Sequence, residues 1–547
     1  MNALARLTGF AKGALGFGNA QSAPTPRSST GYMKGEINPF FMSWGPALRD
    51  ARDDVRLAWA PATARTIDAI HNSGWLSGAI DQVVASTVGK GMRLNAKPDY
   101  DALGWTAVEA SAWAKTVERQ WEAWAGSPLE CDAAGRMTIA QMTAAGLRSY
   151  FATGEIVATL PWVKRSVSRT RTKVGLIQSH RLAQDTIGTN LFQGVFMDSL
   201  GMPIGYRFRE QMVPITPYNG LTGIATDVAA RDSAGRPMVI HVFDGEAHQV
   251  RGLTPLAPAL KVMRQYDQLA DATLTAAMIQ AIFAATLQSE APTEQVLRAL
   301  QTDGEQAATP NVNGPSGAGS DPSIMDLFAA RDAWYQNTKI DLGNAGKIAH
   351  LFPGEQLKFN RSEHPNSTYE AFAKFLLREC ARCLGITFED FTGDYSGASY
   401  ASINNATSIV WRVVEYRRAH ILTPFLQPIF DAWLEEQIDS GTVKFPGGLT
   451  AFIAQRSAVT RADWFGPGKP QSDLLKVAKA YETLQSSGVI SDAMICSDLG
   501  TNVDDVYDAR AKEMAKRKEL GLPEPNAPPP DPILNDRSDN DSTKGDA

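Results

Sequence analysis

The residues best suited to chemistry in this chain stand at spacings that chemistry does not use. Cys380 and Cys383 have the C-x-x-C spacing of a zinc ligand pair, but no second Cys or His pair follows them. The stretch around them, Phe372 to Leu384, has a helical pattern, so two small residues on one core-facing side of a helix is the simpler reading. The run Gly466-Pro467-Gly468-Lys469-Pro470 lacks phosphate-loop spacing, and Pro470 stands where a magnesium-binding Ser or Thr would be needed. Gly393-Asp394-Tyr395-Ser396-Gly397 carries its serine one place late for a nucleophile elbow, with no strand before it. The carboxylate pairs Asp53-Asp54, Glu389-Asp390, Glu435-Glu436 and Asp504-Asp505 are sequence neighbours, whose side chains diverge on a helix or strand and make no acid–base dyad. The histidines show no ligand spacing, and His241 and His248, around a strand and turn, read as surface residues. The expectation is a protein with no catalytic, cofactor or metal site.

Elements of ordinary globular composition carry these residues. The chain has 547 residues, 44% apolar and 20% charged, with a net charge of -6, enough for several packed cores. A dedicated DNA binder would be basic, whereas a conduit through which DNA slides should not hold it. Four scattered cysteines fit a reducing compartment, and the first residues lack the apolar core of a signal peptide. Residues 1–35, rich in Gly, Ala, Ser and Pro, read as a flexible arm. Helical patterns run from Ser43 to Ala85, with Pro61 starting a new segment, from Trp105 to Trp124, and over 137–152. Trp105, Val108, Trp113, Val117, Trp121 and Trp124 form an apolar stripe read as core, not as a platform for bases. Short strand patterns follow Gly154-Glu155 and recur between 174 and 250.

The longest helical pattern to that point, Leu253 to Leu287, begins with Pro255 and Pro258 in its first turns. Its apolar part, Ala272 to Leu287, is shorter than the roughly 20 residues of a membrane span. Residues 301–322 are dominated by Gly, Ser, Asn and Pro and are expected to be mobile. Further helices are expected over Ser367–Leu384, Ile403–Glu436 and 471–518, and the residues from Pro523 onward read as a disordered tail. The fold class is α+β, mostly helical.

Several stretches taken together resemble the lambda-type family of bacteriophage portal proteins. They are the opening helix ending in Val88-Gly89-Lys90-Gly91-Met92-Arg93-Leu94, then Trp121 to Asp132 with the later Gly154-Glu155, and Val250-Arg251-Gly252-Leu253 with the helix after it. Phe352-Pro353-Gly354-Glu355, Tyr369 to Ile386 and Gly393-Asp394-Tyr395-Ser396 follow, then Asp463-Trp464 and Lys469 to Ala480. The likeness spans roughly residues 40 to 520, and order and spacing make it specific. One departure stands at Tyr400-Ala401-Ser402-Ile403-Asn404, where the family usually places an arginine after Tyr-Ser-Ser-x.

The resemblance implies a ring-forming subunit, in a ring usually of twelve, with wing, stem, clip and crown regions around a channel for double-stranded DNA. Fitted to the element order, residues 36–252 would be the wing, 253–288 one stem helix and 289–366 the clip. Residues 367–390 would be the second stem helix, 391–402 a tunnel loop, 403–440 a long wing helix, 441–520 the crown region and 521–547 the tail. Asp394, Tyr395, Ser396, Ser399 and Tyr400 would face DNA in that loop. The implied partners are other copies of the chain, duplex DNA, terminase, the major capsid or scaffold protein and the head–tail connector, with no membrane and no cofactor. The implied location is the portal vertex of the virion, after synthesis in the bacterial cytoplasm. Two other readings are a nucleic-acid-processing enzyme of the packaging machinery, which needs a carboxylate cluster or phosphate loop, and a purely structural capsid or membrane-associated component, which would rest on the apolar stretch 272–287.

Overall fold

The computed structural model describes residues 47–210, 224–282, 285–289, 333, 355–359, 369–470 and 473–522. The expected N-terminal arm, nearly all of the C-terminal tail and the Gly/Ser-rich stretch 301–322 lie outside these residues. Two helices open the described chain, α1 (Ala51–Asn72) and α2 (Gly74–Thr87). Pro61 does not start a segment, because α1 runs through it. Proline removes the bond to the carbonyl four residues back; here that residue, Leu57, is exposed, so the orphaned carbonyl can turn to water. The break falls at Ser73, whose hydroxyl accepts from the Leu76 N–H and caps α2.

Strand β1 (Arg93–Ala96) leads to α3 (Ala107–Ala125) and α4 (Ile139–Thr153). Both helices start on a capping box, Thr106 with Glu109 and Thr138 with Gln141. The tryptophan stripe is core: Trp121 and Trp124 are buried against Trp433, and Trp105 and Trp113 pack on Phe445. Val108, counted with that stripe, is exposed instead.

Strand β2 (Glu155–Thr159) is the middle of an antiparallel three-stranded sheet, flanked by β3 (Gly175–Ile177) and β8 (Val239–Phe243). A meander of β4 (Leu191–Phe192), β5 (Val195–Met197), β6 (Pro203–Arg209) and β7 (Ala225–Ala229) forms a second sheet. It has its own small core around Leu182, Tyr206, Phe208 and Val239.

Helix α5 is Leu260–Ile282, shorter at both ends than expected. Pro255 and Pro258 lie in a turn and a 3-10 segment before it, and Thr286 and Leu287 belong to a strand. That strand, β9 (Ala285–Ser289), pairs antiparallel with β10 (Glu355–Phe359). Helix α6 (Tyr369–Leu384) then returns along α5, since Cys380 near its end meets Met263 near the start of α5 (S···S 3.9 Å).

After α7 (Phe388–Thr392) the chain enters a long helical run: α8 (Tyr400–Arg417), a π turn (Arg418–Leu422) and α9 (Thr423–Asp439). Pro424 explains the π turn. It has no N–H for the His420 carbonyl, and widening the helix just before it relieves the clash. Helix α10 (Gly448–Ala454) and β11 (Ala462–Phe465) follow, with β11 paired to β1. Residues 441–470, grouped by sequence with the C-terminal helices, therefore belong to the main core through Val443, Phe452, Val459 and Trp464. The last helices, α11 (Leu474–Ser486), α12 (Asp492–Asp498) and α13 (Val503–Leu520), bury none of their residues. Helix α13 meets the body through the ion pairs Arg93–Asp505 and Lys115–Asp508.

Candidate functional site

The loop expected over 391–402 is shorter in the structure. Thr392 ends α7 and Tyr400 begins α8, leaving residues 393–399 as the connection. Gly393 closes α7 in the left-handed conformation (φ +70°), which a side chain would oppose. Gly397 does not adopt a positive φ, so Gly393 alone of the two loop glycines is left-handed.

Most of the polar residues here are pinned by specific bonds. The Asp394 carboxylate accepts from the Ser396 N–H (3.1 Å) and hydroxyl (2.6 Å). Those bonds, then Lys374, hold its pKa below the usual aspartate value. Lys374 approaches Asp394 to 3.3 Å from α6 while also pairing with Glu370 at 2.7 Å. Lys374 thus stands between two carboxylates, so it tempers the loop's one formal charge without cancelling it. Tyr395 donates its hydroxyl to Asp390 (2.8 Å), and burial together with that bond pushes its pKa up to about 12. Ser399 caps α8 through a reciprocal pair of bonds with Ser402 (3.0 and 3.2 Å). Tyr400, half exposed, carries Lys476 over its ring at 5.6 Å. The arrangement is a short connection pinned at both ends and exposing two phenol rings. It can present bulk and hydroxyls, but it holds no nucleophile–base pair.

A separate buried cluster is one that the sequence reading did not assemble. Glu155, at the start of β2, is fully buried. Its carboxylate receives Arg251 Nε (3.0 and 3.1 Å) and Nη2 (2.5 Å), the Gly252 N–H (3.0 Å) and the His241 ring at Nε2 (3.0 Å). Arg251 spends its other donors on the carbonyls of Ser179, Ala183 and Gln193 and lies over the Trp59 ring at 4.6 Å. Burial would raise the Glu155 pKa, but the Arg251 charge and the His241 bond outweigh it and set it at about 2. His241 is thus not a surface residue: its side chain is 2% exposed. It sits on β8 opposite β2, so the strand pairing carries it inward. His248 is exposed.

The glycines beside this pair have a steric reason. A Cβ on Gly154 would meet the Leu253 backbone at 2.2 Å, and one on Gly252 would meet the Gly154 carbonyl at 2.1 Å. The Gly-Glu and Arg-Gly dipeptides are two halves of one crossing, 96 residues apart. The Glu155 carboxylate and the Arg251 guanidinium are fully partnered, which makes the pair a fixed joint, not a reactive centre. Among the described residues no group of three or more His, Cys, Asp or Glu could hold a metal ion. Cys380 is buried in the helical pair and Cys383 half-buried on the same helix.

Comparison with known proteins agrees on one family. Residues 39–418 match the family described as phage portal protein, lambda family. The chain is 26% identical over 489 residues to portal protein B of Escherichia phage lambda, covering 88% of this chain and 89% of that protein. It is 25% identical over 488 residues to the portal protein of Escherichia phage N15, again covering 88% and 89%. Among solved structures, a chain from the neck of the empty GTA particle, computed with C6 symmetry, aligns at a TM-score of 0.45 and 13% identity, over 86% of this chain and 99% of that one.

Proposed function

This chain belongs to the lambda family of phage portal proteins, so its role is structural and not enzymatic, and we propose that copies of it close into a ring, of twelve in the habit of that family, at one vertex of the capsid. Double-stranded DNA passes through the ring during packaging and ejection. Terminase, the capsid or scaffold protein and the head–tail connector dock on it. The antiparallel pair α5 and α6 forms the stem, residues 393–399 with Tyr400 face the DNA, and the segment between β9 and β10 forms the clip.

The observation that carries the ring is the far half of the helical pair. Leu274 and Met278 on α5 are 63% and 58% exposed, and Phe372 and Phe375 on α6 are 54% and 62% exposed. Large apolar side chains clustered in water mark a surface that a partner covers. Two rod-like helices presenting such a surface suit side-by-side packing in a closed heterologous ring. No helix among the described residues is long and apolar enough to cross a membrane.

Native mass measurement and electron microscopy of the purified chain test the ring. The expected result is one closed species with a central hole wider than a duplex, and a monomer or dimer both in solution and in assembled heads would overturn the reading. Purified rings are also expected to turn over neither ATP nor DNA in the presence of magnesium. Turnover that disappears on mutating a residue of this chain would contradict that.

A further inference from the structure

Residues 162–172 form a hairpin, closed by the Trp162–Thr172 bridge and the bond from the Val163 N–H to the Arg171 carbonyl (2.8 Å). Its sequence, Trp-Val-Lys-Arg-Ser-Val-Ser-Arg-Thr-Arg-Thr, is strongly basic in a chain of net charge -6. The carboxylates around it are turned inward onto main-chain N–H groups. Glu130 receives Arg169 N–H (3.0 Å) and Thr170 N–H (3.1 Å), and Glu436 receives Arg171 N–H (2.6 Å) and Thr172 N–H (2.7 Å). Burial opposes the charge on Glu130, but these bonds and the Ser168 hydroxyl hold its pKa near about 2. The backbone of the hairpin is therefore clamped by anions while the basic side chains are left over. Lys164, Arg169 and Arg171 are exposed, and none makes a salt bridge among the described residues. Arg171 lies beside the half-exposed Trp162 ring, 6.0 Å from its centre.

Geometry separates this patch from the loop at 393–399. Glu436 lies near the end of the helical run that Tyr400 begins, and that many residues span roughly 50 Å at about 1.5 Å each. A rigid turn bearing unpaired Lys and Arg beside hydroxyls is suited to phosphate oxygens, which take most protein–DNA hydrogen bonds without regard to sequence. We propose that this hairpin is a second contact for duplex DNA, gripping the sugar-phosphate backbone through Lys164, Arg169 and Arg171 at the end of the subunit remote from the loop. The proposal rests on the portal reading only for the presence of duplex DNA around the ring. It assigns the two ends of the long helix opposite tasks, release at the loop and retention at the hairpin.

The test compares the full-length chain with the variant Lys164→Ala/Arg169→Ala/Arg171→Ala, in whatever oligomer each forms, using a short random-sequence duplex as probe. Fluorescence anisotropy over a salt series should show binding weakened on the order of tenfold at low salt, with the log–log salt slope shallower by about 2 to 3, since each phosphate contact contributes about 0.9. Arg169→Lys, which keeps the charge, should stay close to wild type. Unchanged affinity and slope in the triple variant would overturn the proposal. So would normal duplex binding with a loss of incorporation into heads, because the hairpin would then dock an acidic capsid or scaffold protein. If the wild-type chain forms no ring, the portal reading fails, and the duplex measurement still stands or falls independently.

Discussion

Deleting Ser396 to Ala398 is expected to leave rings of normal mass that package or retain almost no DNA. The deletion keeps Gly393, which turns the chain out of α7, and Ser399, which caps α8. It also keeps Lys374 on α6, so the helical pair proposed to supply the subunit contacts should assemble as before. What is lost is the bulk between two pinned ends: the Ser396 bonds to Asp394 disappear, and Tyr395 is drawn away from Asp390. A loop in contact with moving DNA needs adjustable, weakly charged surface, because a bare cation would bind phosphates at each step and a bare anion would push them away. Lys374, shared between Asp394 and Glu370, leaves the loop weakly acidic with no free cation to hold phosphates. Counting filled heads after packaging with mutant rings decides the matter. Normal filling, retention and infectivity would place the loop away from the DNA and remove the stem placement of α5 and α6 with it.

The second large effect concerns stability. Glu155→Gln is expected to destabilise the subunit by roughly 3–5 kcal/mol, the usual cost of removing one member of a buried ion pair and leaving the other charge without a partner. Arg251→Met should do similar harm from the other side. The double variant should lose less than the sum of the two, because no uncompensated charge remains. The pH dependence has a definite sign. The folded carboxyl titrates at about 2 and an ordinary glutamate at 4.5, so the contribution of Glu155 is complete above pH 4.5 and drains away as pH falls toward 2. Subtracting the Glu155→Gln stability profile from that of wild type should leave a difference that shrinks over this acid window. A constant difference would mean that the carboxylate is not what Arg251 requires.

Legibility in the sequence followed the range of the interactions. Helices α3 and α4 could be placed because their apolar spacing, the tryptophan stripe included, is a property of one helix, and the structure adds local caps at Thr106 and Thr138. The end of α5 was misplaced because Thr286 and Leu287 take strand geometry from β10, a partner about 70 residues onward. Pro61 was misread because the tolerance of α1 depends on Leu57 facing water, which the sequence does not state. The loop residues were found, yet the meaning of Asp394 changed once α6 brought Lys374 beside it. The Glu155 cluster was missed altogether. Its only signal was a carboxylate and a guanidinium each next to a glycine, in elements whose other residues are apolar, and nothing local joins them. The basic run at 164–171 was not singled out from the sequence, and its unpaired charge depends on Glu130 and Glu436 facing the backbone instead.

The β9–β10 ladder has a consequence for how such a chain can change over time. It fixes the two ends of the intervening segment at the spacing of neighbouring strands, about 5 Å, whatever lies between them. The helices below are thus told nothing about the length or content of what lies above. For a flexible connection, doubling the number of residues costs only about 0.6 kcal/mol in closure entropy. The ladder therefore acts as a boundary condition that uncouples two selective pressures. On the proposed reading, the residues beneath it answer to neighbouring copies of the same chain, while those beyond it can be lengthened, shortened or exchanged to suit a different partner without renegotiating the rest of the molecule.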